Sequence, residues 1–131
     1  GRSGELFDRL LREIEMKREE IYLTNIVKCN PPGNRDPHPN EQEACIPYLK
    51  YETLLLRPKI IVCLGRIAAQ RIIRPDYRIT REHGVFLERK NTWLTAVYHP
   101  SAVLRDETKL PQMQEDFRKI REKLEKVRGF V

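Results

Sequence analysis

Few stretches restrict what a chain can fold into as much as Lys59-Ile60-Ile61-Val62-Cys63-Leu64-Gly65, which runs without a break into Arg66-Ile67-Ala68-Ala69-Gln70-Arg71-Ile72-Ile73. The first six residues favour a strand, because β-branched side chains pack well on a pleated surface and lose rotamer freedom in a helix. Gly65 then allows the sharp turn that carries the chain into a helix through Ile73. Strand, glycine, helix is how a βα unit begins, and βα units build parallel sheets. An α/β fold is therefore expected.

The flanking segments supply the other elements. Leu6, Phe7, Leu10, Leu11 and Ile14 recur at helical spacing and predict an amphipathic helix that continues through Met16 to Glu20. Ile21-Tyr22-Leu23-Thr24-Asn25-Ile26-Val27 reads as a short strand covered on both faces. Asn25 is out of place in it, since an amide is costly to bury unpaired. Four prolines in residues 30–39 exclude regular structure and predict a stiff loop. Asn40 followed by Glu43 resembles a capping box, so a helix should start near Glu41, kink at Pro47, and bury Leu49, Leu54, Leu55 and Leu56. Val85-Phe86-Leu87 and Thr92-Trp93-Leu94 read as hairpin arms around Lys90-Asn91, the second arm running on to Tyr98. Met113, Phe117, Ile120, Leu124 and Val127 mark an amphipathic helix over residues 111–127. There is no internal repeat, and 131 residues suffice for one domain with a real core. The chain starts almost directly on a helix, as though an upstream segment were missing.

No stretch approaches the roughly 18 apolar residues of a membrane span, and no signal-peptide pattern is present. A membrane role is not expected, and a cytoplasmic location is. Three cysteines, an odd number, argue against a disulfide framework and for reduced thiols or metal ligands. The net charge is +6, and its distribution says more than its total: residues 1–56 sum to −2, residues 57–90 to +6 and residues 91–131 to +2. The basic zone comprises Arg57, Lys59, Arg66, Arg71, Arg74, Arg78, Arg81, Arg89 and Lys90. It suits a polyanion, because phosphate contacts release counterions. Ion-pair networks on thermophile surfaces give a similar pattern.

Chemistry can collect where the last apolar run ends, at Tyr98-His99-Pro100-Ser101-Ala102-Val103-Leu104-Arg105. Pro100 removes a donor and fixes φ, so the strand should stop and a loop begin. An imidazole, a hydroxyl and a guanidinium then stand just past the carboxyl end of a strand, the edge where open α/β sheets bind ligands. The plain alternative is a solvated loop whose histidine caps the strand. Cys29 and Cys45, sixteen residues apart, sit at breaks in regular structure and read either as buried thiols or as metal ligands. His38 could add a third donor, but two thiolates complete neither a tetrahedral zinc site nor an iron–sulfur cluster. Cys63, between Val62 and Leu64, reads as an inert core residue.

Five blocks, taken in order, carry a family resemblance. They are Tyr22-Leu23-Thr24-Asn25-Ile26-Val27-Lys28-Cys29; Pro31-Pro32 with Asn34-Arg35; Glu43-Ala44-Cys45 with Pro47-Tyr48-Leu49; Pro58-Lys59-Ile60-Ile61-Val62 with Leu64-Gly65; and Tyr98-His99-Pro100-Ser101-Ala102 with Leu104-Arg105. The set resembles the iron–sulfur uracil-DNA glycosylases of bacteria and archaea, in register from Gly1-Arg2-Ser3-Gly4 almost to the C-terminus. The resemblance implies a three-layer α/β/α fold with a short, mostly parallel sheet. It also implies base-excision repair, the hydrolysis of the N-glycosidic bond of uracil in DNA. Asn25 would read the edge of an extruded uracil. His99 would donate a hydrogen bond to the uracil oxygen on which charge develops, an electrostatic stabilisation of the leaving group. Pro100, Ser101, Leu104 and Arg105 would belong to a segment entering the duplex, Leu104 as a wedge and Arg105 as a phosphate or groove contact. Cys29 and Cys45 would be two of the four ligands of an iron–sulfur cluster.

The family pattern also holds an N-terminal C-x-x-C pair, a first strand leading to a G-E-A-P-G loop, and an aromatic that stacks on uracil. This chain begins after the place where those would stand. The expectation is an incomplete cluster, no loop to position the attacking water, and a sheet whose edges and one apolar face are uncovered because the family's first strand is absent. Three accounts fit: a piece of a full enzyme with its N-terminal segment missing, a short homologue whose Tyr22 and Lys59 strands pair directly, or a homodimer in which each chain gives two cysteines to one cluster. On this reading the chain alone is nearly inactive. The alternatives are a non-catalytic DNA-binding module that keeps the basic zone, and a metal-binding interaction domain on Cys29 and Cys45.

Overall fold

In a computed structural model, residues 1–16 and 58–127 are described. The expectations for residues 17–57, with Asn25, Cys29, His38 and Cys45 among them, lie outside the described residues. The chain separates into two compact units, Gly1–Ile21 with Lys59–Val131, and Tyr22–Pro58, and every element below belongs to the first.

Helix α1 (Arg2–Glu13) buries Leu6, Phe7, Leu10 and Leu11. It stops earlier than the apolar spacing suggests. Glu15 takes a φ of 60°, and two N–H groups fold back, Glu15 to the Arg12 carbonyl at 3.0 Å and Met16 to the Leu11 carbonyl at 2.9 Å. This pair of bonds is a Schellman stop, with glutamate in the left-handed seat usually held by glycine. Ile14 and Met16 stay buried after the helix has ended. Apolar spacing reports burial, and here burial continues where helical geometry does not.

The next elements are β1 (Ile60–Leu64), α2 (Arg66–Ile72), α3 (Ile79–Glu82), β2 (Leu87–Arg89) and β3 (Thr92–Val97). They are followed by α4 (Pro100–Arg105), a single 3₁₀ turn (Glu107–Lys109) and α5 (Leu110–Val127). The sheet has the order β1-β3-β2. Strands β1 and β3 run parallel, in a register that sets Ile60 opposite Trp93 and Leu64 opposite Val97, whereas β2 and β3 are antiparallel. Lys90 and Asn91 form the hairpin turn with φ of 51° and 67°. Two positive φ values give the type I′ turn, whose twist matches that of the strands it joins. The first arm begins at Leu87, two residues later than the apolar run suggests.

Alternation along the strands makes the layers. Cys63, Leu94 and Ala96 face one way, into a core with Ala69 and Ile73 of the α2 segment and Tyr77. Val62, Leu64 and Val97 face the other way, against Leu6, Phe7 and Leu10 of α1, Val103 of α4, and Met113 and Phe117 of α5. This is the α/β/α layering expected. Burying each large apolar side chain contributes roughly 1.5–3 kcal/mol. Phe7 and Phe117 add an edge-to-face contact with centroids 6.0 Å apart.

Three cations of the basic zone serve the fold. Arg89 donates to the Ile72 and Ile73 carbonyls at 3.1 and 3.0 Å, satisfying the carboxyl end of α2. Lys59 donates to the Val127 carbonyl at 3.2 Å, at the end of α5. Arg74 pairs with Glu82 and, at 3.2 Å, with Asp76. Charge counted along a sequence does not separate cations that face a ligand from cations that close helix ends.

Candidate active site

Strand β3 delivers Tyr98 and His99 to the carboxyl edge of the sheet. The chain beyond Pro100 is not the loop expected from the proline. Pro100 is the first residue of α4, the position where its missing N–H costs nothing and its fixed φ suits a helix. His99 is the N-cap. Its carbonyl accepts from Ala102 N–H at 2.9 Å, and its side chain accepts from Ser101 N–H.

That cap decides the state of the imidazole. Ser101 N–H lies 3.1 Å from Nδ1, and the Ser101 hydroxyl lies 2.8 Å from the same nitrogen. A backbone N–H can only donate, so Nδ1 is the acceptor and the ring proton sits on Nε2. Partial burial, and then the nearby Arg105 guanidinium, lower the His99 pKa below the ordinary value of 6.5. The result is a neutral imidazole that presents one N–H donor at the strand end.

Gly65 backs this residue from the neighbouring strand. It has a φ of 90°, its N–H donates to the Val97 carbonyl at 2.8 Å, and a Cβ placed on it would stand 3.1 Å from His99 Cβ. The glycine between β1 and α2 thus has two reasons to lack a side chain, the backbone conformation and the approach of His99.

Around His99 the expected residues divide. Pro100 is buried, Ser101 partly so, and Arg105 is exposed at the end of α4. Leu104 is half-buried and packs against the core shared by α1 and α5, so part of its surface is committed to the fold. Asp106 ends α4 and starts the next turn. Hydrogen bonds from the Lys109 ammonium, then from the Thr108 hydroxyl and N–H, hold its carboxyl down at about 2.

Three residues close to this edge have no place in the sequence reading. His83 Nδ1 lies 2.6 Å from Asp116 Oδ2, and Asp116 is only 1% exposed. The His83 ring sits 4.9 Å from the Tyr98 ring, centroid to centroid. Gly84 follows, with a φ of 77°. A signal for the pair does exist: Asp116 interrupts the apolar stripe of α5 between Met113 and Phe117, and a carboxylate on a core-facing stripe requires a partner.

Two clefts lie away from His99. One, of about 320 Å³, is lined by Glu13, Glu15, Arg118 and Arg121 among others. Its arginines are already paired, Arg118 with Glu115 and Arg121 with Glu125. The other, about 180 Å³, lies beside Phe86 and Lys123, with the Lys123 ammonium 3.4 Å above the Trp93 ring. Neither collects groups suited to bond chemistry. Among the described residues no cluster of three or more His, Cys, Asp or Glu side chains could hold a metal. Cys63 is buried, which pushes its thiol up to about 12, and metal ligands bind as thiolates. No helix of the described residues is long and apolar enough to cross a membrane.

The layers and the strand-end histidine define an α/β protein whose sheet edge carries a fixed N–H donor. The chain belongs to the uracil DNA glycosylase superfamily, whose family profile matches residues 1–125. It is 41% identical over 130 residues to the type-4 uracil-DNA glycosylase of Archaeoglobus fulgidus, a match covering 93% of this chain and 65% of that protein. It is 36% identical over 133 residues to the type-4 enzyme of Saccharolobus solfataricus, covering 95% of this chain and 62% of that protein. For the type-4 enzyme of Thermotoga maritima the identity is 35% over 137 residues, covering 100% of this chain and 67% of the relative. The chain thus spans under two thirds of the first two relatives.

Proposed function

We propose that this chain carries the leaving-group half of a uracil-DNA glycosylase site, acting in base-excision repair on DNA that contains uracil. The observation that carries this reading is the His99 tautomer: Ser101 N–H bonded to Nδ1 leaves the proton on Nε2, pointing a donor away from α4. As the glycosidic bond breaks, negative charge builds on the departing uracil. A donor already in place stabilises that charge without having to reorganise. Keeping the imidazole neutral suits the role, since a protonated ring would carry an N–H at Nδ1 facing the Ser101 N–H, two donors with no acceptor between them. Asn25 would read the uracil edge, which accounts for an amide in an apolar strand. Pro100, Ser101, Leu104 and Arg105 would meet the DNA, Arg105 as a cation at the exposed end of α4 and Leu104 through the part of its surface not packed on the core. Cys29 and Cys45 would hold an iron–sulfur cluster as two of its ligands, the others coming from a further segment or a second copy.

An oligonucleotide with a single uracil, followed by alkaline cleavage, tests the reading, with a thymine oligonucleotide as control. Weak turnover and tighter binding of the uracil strand are expected, and His99→Ala should lower turnover about 10²–10³-fold, the cost of removing one such donor. Turnover left unchanged by His99→Ala would overturn the role of His99. Salt-sensitive binding with no uracil preference would favour the non-catalytic DNA-binding module instead.

A further inference from the structure

We propose that Asp116 and His83 form a positioning pair that sets the Tyr98 ring and, through the shared peptide, the orientation of His99; this rests on His99 being the functional donor. The argument starts from Asp116. A carboxylate that is 1% exposed in the apolar stripe of α5 is costly unless it is bonded, and its partner is His83 Nδ1 at 2.6 Å. The bond fixes the plane of the His83 ring. That ring lies 4.9 Å from the Tyr98 ring at an angle of 38°, and the Lys109 ammonium stands 5.5 Å from the Tyr98 ring centroid. Tyr98 is 5% exposed, so it has little freedom to turn without displacing His83. His99 is the next residue.

The backbone supports the same reading. Gly84 N–H donates to the Ala96 carbonyl at 2.9 Å, which ties the His83-Gly84 turn to β3 just ahead of Tyr98. A Cβ at Gly84 would collide with the Asp116 carboxylate, so the glycine is what lets α5 bring that carboxylate to His83. Gly65 holds His99 from the other edge of β3, through Val97. The strand end is therefore gripped on both sides. His83 and Asp116 bond to each other, and His83 stacks on Tyr98 rather than on His99, so their action on His99 is indirect.

The test reads His99 itself rather than turnover. In the full chain labelled with ¹⁵N-histidine, wild-type His99 should show separate Nδ1 and Nε2 signals, the mark of a single tautomer. Asp116→Ala should lose that separation, and Asp116→Asn, which keeps a hydrogen-bonding group at His83, should restore it. If Asp116→Ala does not fold, His83→Phe keeps a ring against Tyr98, removes the bond, and should show the same loss. The Trp93 indole signal, at the opposite end of β3, should stay unchanged and so reports that the fold is intact. Wild-type His99 signals in a folded Asp116→Ala or His83→Phe protein would overturn the proposal and leave the pair a stability element only. Because no glycosylase activity enters the readout, failure of the uracil assay and failure of the positioning pair are separate results.

Discussion

Two glycines bracket the exit of β3, and they work differently. Gly65 acts directly: its backbone lies against His99, its N–H bonds the Val97 carbonyl, and its own carbonyl accepts from Ala69 N–H as the N-cap of α2. Gly84 acts through other residues: its missing side chain leaves room for the Asp116 carboxylate, which holds His83 against Tyr98. The first belongs to a strand–glycine–helix run read along the chain. The second is a meeting of three segments far apart in sequence. One residue type can thus serve as a local turn in one place and as the keystone of a long-range cluster in another.

The largest effect should come from the Gly84 side. Gly84→Ala places a Cβ on the Asp116 carboxyl at a φ of 77°, so the His83–Asp116 hydrogen bond must break or the turn must move. Losing the partner of a buried carboxyl costs about 1–3 kcal/mol and the strained backbone about 1–3 kcal/mol more, and urea unfolding should show a loss of the order of their sum. If the loss is no greater than for Gly65→Ala, the two glycines are equivalent and the contrast drawn here is wrong. Gly65→Ala should cost less, about 1–3 kcal/mol, because one strained conformation and one tight contact are involved. Its distinguishing mark should be a displaced His99 signal with the His83 signals unmoved.

A control lies on the strand between them. Thr95 is fully buried, and among the described residues its hydroxyl has no partner. Thr95→Val removes an unsatisfied polar atom at little change in shape, and should raise stability by about 1 kcal/mol without moving the His99 signals. A displaced His99 signal in that variant would mean that any change in β3 reaches the site.

The smallest effect is that of pH. His99 has a lowered pKa in the folded state, so the unfolded chain binds more protons between that value and 6.5. The contribution to stability is then fully present above the unfolded value and is lost as pH falls through the folded one. Following the His99 ring carbon shifts from pH 8 downward should give a midpoint below 6.5, and Arg105→Gln should raise it by removing a nearby positive charge. An unshifted midpoint in Arg105→Gln would confine the cause to burial.

Much of this protein can be read along the chain. β-Branched runs, a glycine at a strand end and the spacing of Met113 and Phe117 mark β1, α2, the hairpin and α5, because each signal is local and each element is held by its own apolar face. His99 was also legible, from its position after a strand and before a proline. The misses share a cause. The end of α1 at Glu13 depends on a left-handed residue that the apolar spacing passes over, and the turn after His99 is helical because His99 itself caps it. The basic zone, counted along the chain, suits a polyanion, whereas Arg89 and Lys59 close the ends of helices that only the fold brings within reach.

The sequence by itself determined the βα unit, the hairpin of β2 with β3 and the residue type at the strand end, since these follow from side-chain period and backbone preference, while the pairing of β1 with β3 came only with the fold. Only the tertiary structure decided which nitrogen of His99 carries the proton and that Asp116, from the last helix, reaches His83 beside Tyr98. Those outcomes rest on distances of about 3 Å between groups: the Ser101 bond is local but needs the turn after His99 to be helical, and the His83–Asp116 bond joins residues 33 apart, a meeting that no local pattern encodes.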